Sequence, residues 1–296
     1  MAEKAPLPSV VAFVGLGRMG EPMARHVAAG GVVVRGFDTA PAAVEGLAGV
    51  VTPVGSAAAA AEGMPVVILM LPDSDAVESV VDDGLLDALE PGSVLVDMSS
   101  SEPLRTRELA ERVAGVGAEL VDAPVSGGVR GAEAATLAIM VGAEQDTARR
   151  LEPLLALMGR PRHVGDVGAG HALKALNNLM SASNLLAASE ALLAGRRFGL
   201  DPAVMLEVVN SSSGRSNGTE TKWPDHVLPG TFASGFTAGL MAKDVRIALG
   251  LVEATGIRGG VAAEVVARWV AAVDLLGPAA DHTEIVRYLQ QTSGGD

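Results

Sequence analysis

Residues 11–31 read VAFVGLGRMGEPMARHVAAGG, and the fold of the chain turns on them. The apolar run Val10–Val14 leads into Gly15-Leu16-Gly17-Arg18-Met19-Gly20, a G-x-G-x-x-G, which opens an Ala-rich segment of helical period. Each glycine answers a separate steric demand. Gly15 permits the tight turn, Gly17 lets the backbone approach a pyrophosphate, and Gly20 lets the helix pack on the strand. A helix beginning there aims unpaired N–H groups and a positive dipole end at phosphates. The next apolar run, Val32–Phe37, ends on Asp38, 18 residues beyond Gly20. A carboxylate that accepts from the adenosine ribose hydroxyls sits at a spacing of ~20. The cofactor reading is therefore NAD. NADP fits less well, because Asp38 repels the extra phosphate and Thr39, not an Arg, follows it; Arg35 keeps that alternative open. A ligand-free glycine turn and a capping Asp explain each piece singly, but not strand, turn, helix, strand and acid in this order.

Working outward, short β-rich runs alternate with helix-like segments through the first half. The strand candidates are Val10–Val14, Val32–Phe37, Val66–Met70, Val94–Met98, Glu119–Asp122 and Leu137–Val141. Most are continuously apolar, as strands covered on both faces are. Segments such as Pro103–Val116 carry helical period between them. This rhythm predicts an α/β Rossmann domain with a doubly wound parallel sheet. The texture changes at Gly165–Gly170, after which Ala/Leu-rich stretches with caps such as Asp201 before Pro202 predict helices only. The expected division is residues 1–165 for dinucleotide binding and 166–296 for an all-helical substrate and oligomerisation domain. The stretch Asn210–Thr221, rich in Ser, Gly and Asn, reads as an exposed loop, with Arg215 either a carboxylate contact or an ordinary surface residue.

Composition removes several function classes. Across 296 residues the net charge is −13, from 22 basic and 35 acidic residues, and the basic ones are scattered. Such a surface repels nucleic acid. With no Cys there is no disulfide, thiolate zinc site or Cys nucleophile, and the five His show no ligand spacing, so no metal is expected. No apolar run reaches the ~18 residues of a membrane span. The N-terminus, MAEKAPLPSV, reads as a short tail and not a signal peptide, so the default expectation is a soluble cytoplasmic protein.

Three further segments carry polar residues in arrangements that suit chemistry. They are Asp122-Ala-Pro-Val-Ser126-Gly127-Gly128, Gly170-His-Ala-Leu-Lys174-Ala-Leu-Asn177-Asn178, and Gly235-Phe followed by Lys243-Asp244. Together with the glycine fingerprint, and in this order, they resemble the β-hydroxyacid dehydrogenases, the family of 3-hydroxyisobutyrate dehydrogenase and tartronate semialdehyde reductase. The resemblance runs from Val10 to about Leu289. It implies a Rossmann domain joined by a long helix to a helical domain, and a homodimer or homotetramer acting on a small carboxylate. It also implies Lys174 as the catalytic Lys, Asn178 as its helix partner, and Ser126, Gly127 and Gly128 at the substrate. Lys243 falls near nicotinamide and substrate, and Leu71, Pro72 and Ser100 fall at the cofactor. The sequence departs from the family at His26-Val27, at Ala135-Thr136-Leu137 and at Ala143 after Gly142, all outside the catalytic set. The related imine reductases usually replace the Lys that stands here at 174.

The residues make chemical sense by themselves. Lys174 and Asn178 are four apart and share a helix face. Leu173, Leu176, Leu179 and Met180 are expected to pack the other faces and so desolvate the amine, which eases proton exchange with an alcohol. Asn178 then orients the ammonium or the substrate hydroxyl. Ser126-Gly127-Gly128 offers a hydroxyl and close N–H groups to a carboxylate, and Lys243 adds a positive charge. His171, three residues before Lys174, reads either as a contact to the site or, more commonly for such a His, as a residue decorating a helix start. The expected function is hydride transfer between NAD and a small β-hydroxy acid such as 3-hydroxyisobutyrate. A reductase of a short semialdehyde, of the tartronate or succinic type, is the alternative within enzymes. A non-catalytic dinucleotide sensor is the alternative outside them.

Overall fold

Six of the apolar runs form strands in the structure, a computed structural model that describes residues 5–293. The stretch read as an N-terminal tail begins outside the described residues. The strands are β1 (Val10–Val14), β2 (Val33–Phe37), β3 (Thr52–Pro53), β4 (Val66–Leu69), β5 (Val94–Asp97), β6 (Glu119–Asp122), β7 (Val125–Ser126), β8 (Leu137–Gly142) and β9 (Gly159–Gly165). They lie in one sheet of order β3-β2-β1-β4-β5-β6-β8-β7, with β9 beside β8. All pairings from β3 to β6 are parallel, and β8 runs antiparallel to β6 and β7. Strand order reverses between β1 and β4, which opens the crevice where α/β sheets take their ligands. The expected runs match their strands to within one residue at each end. Three strands, β3, β7 and β9, were not anticipated.

Helices cover both faces. They are α1 (Gly20–Ala29), α2 (Pro41–Glu45), α3 (Ala57–Ala61), α4 (Ser74–Val80), α5 (Leu86–Ala88), α6 (Pro103–Gly115), α7 (Gly128–Glu133) and α8 (Gln145–Leu155). Successive strand residues feed opposite cores, as the two-residue period of a strand requires. Val11 and Phe13 pack with Met23 and Val27 of α1 and Leu151 of α8. Ala12 and Val14 pack with Ala57, Ala60 and Ala61 of α3 and with Leu109 and Val113 of α6.

Helix α9 (Ala169–Phe198) is 30 residues long, roughly 45 Å at 1.5 Å per residue. The chain divides within it into two compact units, Met1–Lys174 and Ala175–Asp296. The second unit continues through α10 (Pro202–Asn210), α11 (Ala238–Ala254), α12 (Gly260–Leu276) and α13 (Ile285–Thr292), with no strand among its described residues. Asp201 caps α10, its Oδ1 accepting from the N–H groups of Ala203 and Val204, and Pro202 fills the first helical position. The expected loop at 210–221 is shorter than read: helical structure resumes at Gly218 and runs to Val227. Thr219 is buried there, and Trp223 Nε1 donates to Ser189 Oγ at 3.1 Å. Ser211–Arg215 are exposed as read, and only Gly218 and Thr219 of the stretch are buried. No helix among the described residues is long and apolar enough to cross a membrane.

Trp269, fully buried, belongs to the core of the second unit, and His282 stacks on it while meeting the edge of Phe236. Burial, helped by the charge of Lys222, holds the His282 imidazole down at about 4 against the opposing pull of Asp281. The folded state therefore binds this proton less readily than the unfolded chain. The associated stability is complete above the ordinary value near 6.5 and is lost as pH falls through about 4, up to roughly 3 kcal/mol. Thermal midpoints of wild type and His282→Gln, compared at about pH 7 and about pH 4.5, are expected to show a clearly smaller acid-induced drop in the variant. Equal drops would exclude His282 as the cause.

Candidate active site

The first turn after β1 is shaped by contacts that only glycine survives. Gly15 has φ +93°, and a Cβ on it would lie 2.3 Å from the Met70 carbonyl oxygen. A Cβ on Gly20 would lie 1.9 Å from the Gly15 carbonyl oxygen. Gly17 differs: it is exposed, and a Cβ there would meet no protein atom within 4 Å. The two outer glycines serve the turn, whereas the space over Gly17 is left open. Arg18 is exposed, Met19 half-buried, and Leu16 buried in the core beneath the turn.

Asp38, just past β2, braces this turn. Its Oδ2 accepts from the Leu16 N–H at 2.7 Å and its Oδ1 from the Ala40 N–H at 2.8 Å. Each oxygen keeps a second lone pair, so the carboxylate can still accept from ribose hydroxyls. Arg35 donates from one guanidinium nitrogen to the Glu62 carbonyl at 2.8 Å, which tethers the side chain there. After β4, the Leu71 N–H donates to Ser99 Oγ at 2.9 Å, with Pro72 exposed and Ser100 half-buried beside this bond. The open space over Gly17, the braced turn and the unfilled acceptors of Asp38 fit a dinucleotide.

The second cluster gathers at the carboxyl ends of β5 and β6. Lys174 Nζ donates to the Val125 carbonyl at 2.8 Å, and Val125 immediately precedes Ser126-Gly127-Gly128. Two motifs 49 residues apart in sequence thus meet. The turn itself needs its glycines, with φ +133° at Gly127 and +61° at Gly128. Lys174 is half-buried, but Leu173 and Met180 are 40% and 57% exposed, so they do not desolvate it as expected. They lie seven residues apart, on a helix stripe turned to solvent.

Asp122 holds the start of the Lys174 helix. Its Oδ1 accepts from the Gly168 N–H at 2.6 Å and its Oδ2 from the His171 N–H at 2.8 Å. These are orphan donors of a helix N-terminus, where a negative charge is also favoured by the dipole. A Cβ on Gly142 would lie 2.3 Å from Asp122 Oδ1, and one on Gly170 would lie 2.8 Å from Oδ2 and 2.2 Å from the Met140 carbonyl. Burial pushes the Asp122 carboxyl above the usual range, against the pull of His171 and the two N–H groups. Neither Asp122's role nor the burial of His171 was foreseen. The signal available was an acid at the end of an apolar strand, together with glycines at 142 and 170.

In the second unit, Asn178, one turn beyond Lys174 on α9, donates from Nδ2 to Asp244 Oδ2 at 2.5 Å and accepts from Asn177 at 3.2 Å. Lys243 Nζ lies 3.4 Å from Asp244 Oδ1. Asp244 therefore ties Asn178 and Lys243 together across 66 residues of sequence, a link the sequence reading missed. Arg215, 64% exposed, pairs with Glu220 at 3.7 Å. His26 and His163 bond backbone carbonyls of Glu133 and Ala143.

Two family models and several known proteins match the chain. Residues 10–169 match the family described as the NAD-binding domain of 6-phosphogluconate dehydrogenase. Residues 168–289 match that described as the NAD-binding domain of NADP-dependent 3-hydroxyisobutyrate dehydrogenase. The chain is 41% identical over 249 residues to 2-(hydroxymethyl)glutarate dehydrogenase of Eubacterium barkeri, covering 81% of each. It is 42% identical over 255 residues to 3-hydroxyisobutyrate dehydrogenase of Pseudomonas aeruginosa, covering 82% of this chain and 85% of the relative. The solved structure of 3-hydroxyisobutyrate dehydrogenase of Mycobacterium tuberculosis, described with L-serine, superposes with a TM-score of 0.91 at 34% identity, over 96% of this chain and 100% of that one. With a glycine turn and carboxylate suited to NAD, and relatives aligned over both units, the chain belongs to the 3-hydroxyisobutyrate dehydrogenase-like β-hydroxyacid dehydrogenase family, NAD-dependent oxidoreductases of CH–OH groups.

Proposed function

We propose that the protein interconverts a 3-hydroxy-propanoate bearing a substituent at carbon 2 with the corresponding semialdehyde, and that Lys174 is the acid/base. The observation that carries this reading is the Lys174 Nζ–Val125 contact, which sets the amine beside Ser126-Gly127-Gly128. The relatives' names support the substrate class. 2-(Hydroxymethyl)glutarate, 3-hydroxyisobutyrate and L-serine share a primary alcohol on the carbon next to the one bearing a carboxylate. 3-Hydroxyisobutyrate is the first choice among them.

Lys174 takes the hydroxyl proton in oxidation and returns it in reduction. Ser126 and the N–H groups of Gly127 and Gly128 hold the carboxylate, and Lys243 supplies a positive charge to it. Asn178 orients the amine or the hydroxyl through its carbonyl oxygen, its N–H being engaged by Asp244. Bound along Gly15, Gly17, Gly20, Asp38, Leu71, Pro72 and Ser100, the nicotinamide dinucleotide supplies the hydride acceptor or donor. In this reading residues 1–165 are the dinucleotide domain and 166–296 the helical substrate and oligomerisation domain, in a homodimer or homotetramer.

The experiment is a panel of 3-hydroxy acids and short semialdehydes followed at 340 nm with NAD and NADP. Turnover of hydroxymethyl acids above others is expected, and NADH binding without turnover of any member would leave only a dinucleotide sensor. Asp38→Ala is expected to lower the ratio of kcat/KM with NAD to that with NADP about tenfold or more, since the variant removes both the ribose acceptor and the repulsion of a 2′-phosphate. An unchanged ratio would remove Asp38 from cofactor choice.

A further inference from the structure

His171 is 1% exposed and stands three residues before Lys174 on α9, yet no step above uses it. Its surroundings are unusually polar for so buried a ring. Nδ1 lies 2.8 Å from Thr106 Oγ1 at the start of α6, and Nε2 lies 3.2 Å from the Ser99 carbonyl oxygen. That carbonyl can only accept, so Nε2 carries a proton in this hydrogen bond. Two buried carboxylates flank the ring at 3.8 Å, Asp97 by Nε2 and Asp122 by Nδ1, and the two acids are direct partners across β5 and β6.

The bonds made by these partners lead to the dinucleotide loops. The Ser99 N–H donates to Asp97 Oδ1 at 2.9 Å, and Ser99 Oγ accepts from the Leu71 N–H. Ser101 Oγ donates to Asp97 Oδ2 at 2.7 Å. On the other side, the His171 N–H is held by Asp122, which also receives Gly168. One imidazole therefore joins the loop after β4, the loop after β5, the start of α6 and the first turn of the helix bearing Lys174. An apolar side chain of similar volume would fill this space without the desolvation that the ring and two carboxylates incur. Fixed hydrogen bonds give direction where packing alone does not, and displacements of about 1 Å far from the reacting atoms can cost about a hundredfold in rate.

We propose that His171 is a positioning residue that sets Lys174 relative to the dinucleotide loops through Ser99 and Thr106. This inference rests on Lys174 being the acid/base, and the test separates the two. kcat is measured per NADH-binding site for wild type, His171→Ala, His171→Gln and Lys174→Ala, and for the double variant lacking both side chains. His171→Ala is expected to lower kcat about tenfold or more, well beyond its effect on the KM for the hydroxy acid. His171→Gln, whose amide N–H reaches to the depth of Nε2 and can meet the Ser99 carbonyl, is expected to recover kcat to within about threefold of wild type. In the Lys174→Ala background the same alanine substitution is expected to change the residual rate by less than about twofold, because the group it positions is gone.

An equal loss in both backgrounds, or a His171→Ala enzyme of wild-type kcat and lowered thermal midpoint, would reduce the ring to a structural part and overturn the proposal. Should His171→Ala not fold, Thr106→Val decides. A fall in kcat of about threefold or more at unchanged NADH stoichiometry supports positioning, and an unchanged kcat overturns it. Wild-type turnover by Lys174→Ala would instead refute the acid/base assignment, whatever His171 does.

Discussion

Lys174→Ala is expected to lower kcat by roughly two to four orders of magnitude while NADH affinity stays within about twofold, the range that loss of a positioned general acid/base produces. Alanine is the best helix former, so α9 keeps its shape, and Asp122 still caps its first turn. The hydrogen bond from Nζ to the Val125 carbonyl is lost, at a net cost of about 1 kcal/mol. The dinucleotide turn is made by residues of β1, β2 and the loop after β4, with Asp38 bracing the Leu16 N–H. Loss of rate without loss of cofactor binding is therefore the signature of a missing proton carrier. Lys174→Arg sharpens the point, because a guanidinium keeps the positive charge but does not give up its proton near neutral pH. It is expected to be nearly as slow as the alanine variant. An arginine enzyme with substantial activity would show that charge alone is needed at this position, and an active alanine enzyme would end the acid/base reading.

Gly17→Ala is expected to leave the thermal midpoint of the ligand-free protein almost unchanged and to weaken NAD binding about tenfold or more. The protein offers a methyl group at this position nothing to collide with within 4 Å, and φ at Gly17 is not of the left-handed kind. Replacing such a glycine changes folding stability by a few tenths to about 1 kcal/mol, toward greater stability, through the unfolded chain. The same methyl group occupies the space through which a pyrophosphate approaches the backbone. Titration of NADH fluorescence alongside a thermal melt separates these effects. Undiminished affinity would mean that the open space over Gly17 is not where the phosphates lie. The contrast is with Gly20, where an added Cβ would sit 1.9 Å from the Gly15 carbonyl and the turn itself would have to move.

What could be read in the sequence, and what could not, follows from range and burial. The parallel strands were legible because burial on both faces leaves a run such as Val66–Leu69 with no polar residue to blur it. β9 was not, because Gly-Arg-Pro-Arg-His-Val-Gly pairs only with β8 and shows no apolar run, as sheet edges tolerate charge and proline. β3 and β7, two residues each, are too short to have a period. The change of texture at Gly165 marks the end of β9, whereas the compact units divide after Lys174. The first turn of α9 packs against the strand ends, with Gly170 against the Met140 carbonyl, so it clusters with the sheet despite its helical composition.

For the site, the glycine fingerprint and Asp38 were legible because they depend on local backbone geometry and a short spacing. The partners of Lys174, Asn178 and His171 were not. They are a main-chain oxygen at Val125, a carboxylate at Asp244, and a ring of acceptors from three elements, and no spacing rule reaches across 49 to 72 residues.

The squeeze of Gly142 and Gly170 around Asp122 has a further consequence for how this chain can change. Gly142 cannot acquire a side chain while the carboxylate stands against it, and Gly170 is closed by the Met140 carbonyl as well as by the carboxylate. The acid cannot be given up first either, because two amides would be stranded without an acceptor. The three positions form an interlock that a single substitution leaves only at a cost, so mutational drift around Lys174 must flow past them.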